Sequence, residues 1–248
     1  MELDQGTWAL LISFWGLLLF TAISARGLSI FRRDWEDWLI DGSGLLVQGT
    51  VIPLVQIYGI AIGLNHLFPL GGGAVLLHPV LSFGLCFVGV DYLYYWNHRL
   101  LHRGPLWNIH VVHHTARQMD VLTTSRNTVW SSVFIVYLWC NGFLVYVLQD
   151  PRPYLAAVSA TAILDLWRHS PLQPSGIVGK FLGRILILPQ DHAWHHAHDR
   201  CDINFGANLN VWDKLHHTWY VSEHPPKRLG VETELSVWSK LLWPFSGQ

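Results

Sequence analysis

The chain has 248 residues, of which 51% are apolar and only 13% are charged, whereas an ordinary soluble domain has roughly 25% charged residues. This shortage of charge indicates a protein of the lipid bilayer. The formal net charge of −1 gives no case for a nucleic-acid partner, and no glycine-rich segment has the pattern of a phosphate-binding loop. The three cysteines are widely spaced, so neither a disulfide framework nor a thiolate metal site is predicted.

The first half of the chain contains three apolar runs, each expected to cross a hydrocarbon core of about 30 Å as a helix. The acidic start is unlike a signal peptide, so we expect the first run to be retained as an anchor. Between the first two runs, charged residues alternate with Trp35 and Trp38, which predicts a loop at the membrane interface. The three predicted spans are residues 8–25, 45–64 and 75–96.

Histidines follow the third run at two recurring spacings. His98 and His102 stand four residues apart, so on a helix they share one face. After the break at Gly104-Pro105 comes an HxxHH pattern formed by His110, His113 and His114. The spacing predicts that these three imidazoles also converge on one helix face.

A second HxxHH pattern, His192, His195 and His196, lies beyond two further apolar runs, residues 129–148 and 154–167. The latter run is short for a crossing. Two crossings, however, return the chain to the side of the first histidines. The two histidine groups must lie on the same side of the membrane if they are to share metals. Of the sixteen Lys and Arg, only Arg152 then lies on the opposite side, so the positive-inside rule predicts that the histidines face the cytoplasm.

The predicted fold is therefore all-α: an integral membrane helical bundle of about four to five spans, with a cytoplasmic, histidine-rich helical cap that binds two metals. No linker or internal repeat marks a second domain, so residues 1–248 are expected to form a single membrane domain. Within it we distinguish the first three spans, the first histidine segment, a helical hairpin, and the second histidine segment with the tail, as residues 1–97, 98–128, 129–168 and 169–248.

Imidazole binds iron, zinc, copper and nickel, so the residue type alone does not name the metal. Eight histidines can bind two ions with about four ligands each and leave coordination positions for a small reactant. Two redox-active ions with open positions are suited to dioxygen activation. The Glu-x-x-His pairs of carboxylate-rich di-iron bundles and the HExxH zinc-protease motif are both missing from the sequence.

The remaining histidines have different expectations. His169 follows the fifth apolar run on the side of the other groups and is a candidate ninth ligand. His66 and His78 fall on the opposite side of the membrane and are not expected to bind metal. A polar cytoplasmic tail is the favoured interpretation of the others, which are His198, His216, His217 and His224.

These motifs together resemble the fatty acid hydroxylase and sterol desaturase superfamily. The resemblance extends over about half of the chain, from Asp91 to Trp219, and includes DxNFG from Asp202 and WDKL from Trp212. One departure is the pair His216-His217, where this family commonly has Phe-Gly. The first motif, DxxYYWxHRxxH, consists of Asp91, Tyr94, Tyr95, Trp96, His98, Arg99 and His102, and the two HxxHH patterns follow it.

The resemblance implies a non-haem di-iron oxidase of the membrane that hydroxylates or desaturates a lipid, sterol or carotenoid. The implied cofactors are two iron ions with O2 as co-substrate. The implied metal-binding and catalytic residues match the family's motifs one by one, with His169 matching its additional histidine: His98, His102, His110, His113, His114, His192, His195 and His196.

Four polar residues are candidate hydrogen-bond partners of the ligands, because metal-bound imidazoles usually donate their second nitrogen to a carboxylate or carbonyl. Asp91 precedes His98 by two helical turns, near the end of an apolar span where an unpaired carboxylate is costly. Asp165 stands four residues before His169. Asp202 and Asn204 follow the last HxxHH pattern and could orient the end of its helix.

Hydroxylation is the leading prediction, and desaturation on the same scaffold is the alternative, since both begin with hydrogen abstraction from an unactivated C–H bond. A zinc hydrolase and a metal transporter or sensor are the competing classes. The chain has no room for a haem or flavin domain beside five spans. Electrons are therefore expected from a separate protein, either a ferredoxin or a small haem carrier with its reductase.

Overall fold

The structure, a computed structural model, describes residues 5–23 and 33–244, which form helices joined by turns and no β-strand. The first helix, α1, covers Gln5–Ile23. Two long helices follow it: α2 is continuous over Trp35–Leu67, and α3 over residues 79–101. Both contain π-helical turns. The remaining helices are α4 (Trp107–His110), α5 (Ser131–Phe134), α6 (Val136–Val147), α7 (Arg152–Arg168), α8 (Gly176–Leu182), α9 (Pro189–His195), α10 (Val211–Leu215) and α11 (Val237–Leu242).

The predicted interfacial loop is partly wrong, because α2 begins ten residues before the predicted second span. Asp34 caps the helix, and its carboxylate accepts a hydrogen bond from the backbone N–H of Asp37 at 2.8 Å. Glu36 and Asp37 in the first turn also suit the positive end of the helix dipole. The rest of the predicted loop, Arg26 and Arg32 included, lies outside the described residues, as does the end of the predicted first span.

Among the described residues, α2 is the one helix long and apolar enough to cross a membrane. Shorter apolar helices cover Trp8–Ile23 and Val136–Val147. Large apolar side chains are exposed along α1 and α2, Trp15 at 63% and Ile57 at 60% among them. Such surfaces are unusual on soluble monomers and typical of helices in contact with lipid.

The predicted span 129–148 is not one helix, because Ile135 has an extended conformation between α5 and α6. Asn97 of α3 stabilises this break from both sides. Its amide donates to the carbonyl of Phe134 at 2.9 Å, and its side-chain oxygen accepts from the N–H of Val136 at 3.1 Å. The predicted span 154–167 agrees closely with α7.

Two apolar cores hold the histidine-bearing segments. One lies between α3, α6 and α7 and centres on Cys86, Val90 and Tyr154. The other joins α2 to α11 and to the segment after α4 through Ile40, Val112 and Leu241. The C-terminal ends of α3 and α7 thereby meet α9 and residues 107–128, and the candidate site lies at this junction.

Candidate metal centre

The structure gathers the histidines of all three patterns, together with His169, into two adjacent clusters. In each cluster, one potential ligand atom per residue lies within 4.8 Å of the others, and every member is buried. The first cluster, called the five-histidine cluster, contains His98, His102, His110, His114 and His195. The second, called the four-histidine cluster, contains His113, His169, His192 and His196.

Each HxxHH pattern is divided between the clusters, so the expectation that the imidazoles of the first pattern converge on one helix face is wrong. The chain leaves the α-helix at His110 and continues through a turn to His113–Thr115. His110 and His114 consequently belong to one cluster and His113 to the other. The His98–His102 pair behaves as predicted, since both side chains enter the five-histidine cluster from α3.

Backbone carbonyls orient many of the rings. Nδ1 of His98 lies 2.8 Å from the carbonyl oxygen of Phe205, and Nδ1 of His195 lies 2.7 Å from that of Ile203. In the four-histidine cluster, Nδ1 of His169 lies 2.8 Å from the carbonyl oxygen of Asp165. A carbonyl accepts only from a protonated nitrogen, so in each ring the proton is on Nδ1 and the lone pair is on Nε2.

The nitrogens that face inward fit a pair of metal ions. Nε2 of His98 and Nε2 of His110 are 3.0 Å apart, as are those of His169 and His192, so the ring nitrogens of each pair converge closely enough to share a hydrogen bond or a metal ion. Both ring nitrogens of His114 and of His196 are buried without a protein partner. Buried polar atoms are normally satisfied, so this concentration of free lone pairs indicates ligands of a metal.

Burial also keeps the imidazoles neutral. It lowers the pKa of His113 from 6.5 to about 3, with the neighbouring His169 as the next cause. Burial lowers the pKa of His114 and His196 well below the usual value too, and in both cases neighbouring histidines add to the shift. Neutral imidazole is the form that binds a metal ion, so protons do not compete for these sites at physiological pH.

Two of the four candidate partners contact a histidine. Oδ1 of Asp165 lies 3.2 Å from Nδ1 of His169, and the same carboxylate pairs with Arg168 at 2.6 Å. Oδ1 of Asp202 lies 3.5 Å from Nδ1 of His102. Both carboxylates are therefore placed to orient an imidazole and to increase its basicity.

Asp91 does not form the expected hydrogen bond to an imidazole. Its carboxylate faces the loop before α10, where it accepts from the backbone N–H groups of Asn208 at 2.8 Å and Leu209 at 3.2 Å. The indole Nε1 of Trp212 donates to it at 2.8 Å. Asp91 thus ties α3 to this loop and acts on the clusters only through the backbone.

Asn204 also acts through the backbone. It has a left-handed conformation, with φ 52°, and its amide donates to the carbonyls of Asp191 and Tyr220, both at 2.9 Å. Its neighbours Ile203 and Phe205 present the carbonyls that His195 and His98 contact. The turn therefore points two carbonyls toward the five-histidine cluster.

Sequence reasoning missed the role of Asp213. This buried carboxylate accepts from the N–H groups of Phe205 and Gly206, both at 2.8 Å, and from the hydroxyl of Thr218 at 2.7 Å. It fixes the loop that orients His98 and His195. Its place in the WDKL motif was the available signal, but nothing in the motif indicates a contact with the earlier DxNFG motif.

A buried ion-pair network on the other side of the site was also missed. The guanidinium of Arg126 pairs with Asp41 at 2.7 Å and with Asp37, while Arg33 pairs with Asp41 and, at 2.6 Å, with Asp120. Three of the four pairs join residues 85 to 89 positions apart, so no local pattern reveals them. The network attaches the 120–128 segment to α2.

The other histidines of the described chain lie outside both clusters. Nε2 of His216 lies 3.2 Å from Oη of Tyr92, and its ring stacks on Tyr95 at 5.2 Å. His217 has φ 57°, a conformation that favours glycine. The pair that departs from the family pattern therefore occupies positions suited to an aromatic ring and a glycine.

A cavity of about 340 Å³ adjoins the clusters. His110, His113, His169 and His192 line one part of it, and side chains of α1, α2 and α6 line another, Leu10, Ile52 and Leu138 among them. An apolar molecule between the long helices could therefore reach the histidines.

Comparison with known proteins adds independent information. The family model described as fatty acid hydroxylase matches residues 83–218, which include every histidine of both clusters. The chain is 28% identical to ornithine lipid hydroxylase OlsE of Rhizobium tropici, over 88% of this chain and 66% of that protein. It is 27% identical to alkylglycerol monooxygenase of Homo sapiens, over 54% of this chain and 29% of that protein.

A third relative is methylsterol monooxygenase erg25A of Aspergillus fumigatus, 26% identical over 73% of this chain and 61% of that protein. The chain thus spans less than two thirds of the human and fungal relatives and 66% of the bacterial one. No solved structure matches the chain significantly.

Proposed function

Because the chain belongs to the fatty acid hydroxylase family, we propose that it is a membrane-bound, non-haem di-iron oxygenase that hydroxylates a lipid. The observation that carries the proposal is the pair of buried histidine clusters with inward-facing, unpartnered nitrogens beside a cavity that reaches the apolar helices. Neither a structural zinc site nor a zinc hydrolase uses so many imidazoles, since four ligands close a tetrahedral zinc site and three serve a catalytic one.

We assign one ion to each cluster. His98, His102, His110, His114 and His195 would hold the first, and His113, His169, His192 and His196 the second. When bound, two irons would supply the activation of dioxygen that attack on an unactivated C–H bond requires. An all-imidazole set gives neutral ligands, in contrast to the carboxylate-rich di-iron sites of helical bundles.

The protein itself contributes three things to the reaction. The carbonyls of Ile203 and Phe205 and the carboxylates of Asp165 and Asp202 keep Nε2 of their histidines directed inward. The cavity positions a C–H bond of the substrate against His110, His113, His169 and His192. Burial of the clusters excludes bulk water from the reacting groups.

The relatives favour hydroxylation over desaturation, because their names specify a hydroxylase and monooxygenases. The names also give an ornithine lipid, an alkylglycerol and a methylsterol as substrates of those proteins. We propose a lipid or sterol for this chain as well, with O2 as co-substrate. Electrons would come from a separate protein, a ferredoxin or a small haem carrier with its reductase.

We further propose four to five membrane spans with the histidine side facing the cytoplasm. The exposed apolar surfaces of α1 and α2 and the placement of Lys and Arg support this topology. A reporter inserted after Leu70 should be outside the cytoplasm, and one fused after Gln248 should be inside. A five-span chain has its ends on opposite sides of the membrane, so ends on the same side would exclude five spans and leave four.

The function is tested by metal analysis and product mass on the full chain in membranes. We expect about two irons per chain and a lipid product that has gained one oxygen atom, labelled when the gas is 18O2. Lipid extracts of cells with and without the gene identify the substrate. One zinc per chain with hydrolysed products would support a hydrolase instead, and the loss of two hydrogens would show a desaturase.

A further inference from the structure

The cavity beside the clusters has a polar side as well as an apolar one. Its volume of about 340 Å³ is at the low end for ligand pockets, so it holds a part of a lipid and not a whole one. Leu10, Ile52, Pro53 and Leu138 provide apolar lining, whereas Thr124, Asn127 and Tyr137 bring polar atoms.

These three polar residues have atoms without a partner. Oγ1 of Thr124, Oδ1 of Asn127 and Oη of Tyr137 are buried and make no hydrogen bond within the protein. The side chains of Thr124 and Asn127 are themselves enclosed, since the residues are 8% and 7% exposed. Buried polar atoms are rarely left unsatisfied, so three around one cavity indicate that something else satisfies them.

Other polar residues of the cavity lining are already engaged. Nε2 of Gln56 contacts the carbonyls of Tyr137 and Leu138 at 3.4 and 3.3 Å, and Oδ1 of Asn141 accepts from the hydroxyl of Tyr154 at 2.7 Å. Polarity alone therefore does not distinguish the three residues. Besides Asp165, Arg168 and His192 at the metal centre, only these three residues of the described lining have buried atoms without a hydrogen-bond partner.

The three residues also lie close to the clusters. Thr124 and Asn127 flank Arg126, whose carbonyl oxygen is 3.1 Å from Nδ1 of His113. The ring of Tyr137 stacks on Tyr94 at 4.8 Å, and the ring of Tyr94 is 5.3 Å from that of His98. A group bound by these residues would consequently lie within a few bonds of the reacting carbon.

We propose that Thr124, Asn127 and Tyr137 form a specificity-determining polar wall that binds the hydroxyl or amide N–H of a lipid substrate. This inference rests on the proposed function and specifies its substrate class. Oδ1 of Asn127 can only accept, so the lipid must carry a hydrogen-bond donor, while the two hydroxyls can donate or accept. Hydroxylation then occurs near the polar end of the lipid, and a plain hydrocarbon chain is a poor substrate.

The test compares 1-O-hexadecylglycerol with its dimethyl ether, in which two methyl groups replace the two hydrogen-bond donors. Binding is measured by tryptophan fluorescence on the full chain in lipid nanodiscs, loaded with iron and kept free of oxygen. We expect the wild-type protein to bind the diol about tenfold more tightly than the ether. Thr124→Val, Asn127→Leu and Tyr137→Phe should each weaken diol binding about three- to tenfold and should weaken ether binding less than diol binding.

Two controls separate recognition from folding. Tyr146→Phe removes a hydroxyl that donates to the carbonyl of Phe68 away from the clusters, and it should retain the preference for the diol. Thr124→Ser keeps the hydroxyl and should retain that preference too. Thr124→Val and Tyr137→Phe should unfold at the same temperature as the wild type or higher, because each removes an unsatisfied buried hydroxyl.

Equal affinity of the wild type for the two probes would overturn the proposal, as would unchanged diol binding in all three wall variants. Either result would mean that only water satisfies these atoms. A preference for the diol in a chain that binds no iron would leave the wall in place and reject the proposed function. Iron binding and oxygen insertion without a preference for the diol would support the proposed function and reject the polar wall.

Discussion

The carbonyl oxygen of Arg126 lies 3.1 Å from Nδ1 of His113, so one residue orients the ring of another thirteen positions away. The side chain of the same Arg126 pairs with Asp41 of α2 at 2.7 Å. The long apolar helix and the four-histidine cluster are therefore linked through a single arginine.

Replacing Arg126 with Met should destabilise the protein and disturb the four-histidine cluster. The change leaves Asp37 without its ion-pair partner and leaves Asp41 with Arg33 alone, and removing one member of a buried ion pair typically costs about 3–5 kcal/mol. Chemical unfolding in detergent and metal content measure the two effects. Glu232→Gln, which breaks an exposed pair with Arg228, is the matched control and should change neither.

Alanine replacements should separate the two proposed metal sites. His113→Ala and His169→Ala remove ligands of the four-histidine cluster, so bound iron should fall from about two per chain to about one, and turnover should be lost. His102→Ala and His195→Ala should do the same at the five-histidine cluster. His78 caps α3 far from both clusters, and His78→Ala should keep full iron. Normal iron in His113→Ala would contradict the assignment.

Asp91 should matter for folding more than for metal basicity. Asp91→Leu leaves the N–H of Asn208 and the indole N–H of Trp212 without their acceptor, at about 1–3 kcal/mol for each group. Asp91→Asn keeps one acceptor and should cost less. The free energy of unfolding and the iron bound per folded chain are the measurements. Full stability of Asp91→Leu, or a loss of iron without any loss of stability, would show that this interpretation is incorrect.

His217→Gly should leave stability unchanged or increase it by up to about 1 kcal/mol. The left-handed conformation at φ 57° strains any residue with a Cβ atom, while glycine adds entropy to the unfolded chain and offsets part of the gain. The His217 side chain is exposed, so little contact is lost. Thermal unfolding measures the effect, and His217→Ala, which retains the Cβ atom, should bring no gain.

Acid should destabilise the metal-free protein. The pKa of His113 is lowered to about 3 in the folded state, against about 6.5 when unfolded, so below pH 6.5 the unfolded chain binds the extra proton. The contribution of His113 to the free energy of unfolding is fully present above pH 6.5. It decreases as the pH falls, by about 1.4 kcal/mol per pH unit. Unfolding after chelation at pH 7.5 and 5.5 checks the sign, and equal midpoints would contradict it.

The sequence by itself predicted the histidines that the structure gathers into two clusters, and it predicted the all-helical class of fold. Histidines at spacings of three and four residues, in a chain poor in charge, were sufficient to predict a metal-binding, all-helical membrane protein. His169 was also recognised, because it follows an apolar run on the expected side. These features are local. The short-range spacing follows the periodicity of a helix, and the composition indicates whether the helix lies in lipid or in water.

Only the tertiary structure decided how these histidines are distributed between the two clusters. His110 and His113 are three residues apart, yet they belong to different clusters, because the helix ends at His110 and the chain turns. The partners of His98, His195 and His113 are backbone carbonyls, which every residue carries and no sequence pattern marks. Asp91 was predicted to accept a hydrogen bond from an imidazole, but it accepts from the backbone N–H of Asn208. The direction of its side chain depends on the segments that the fold packs against it.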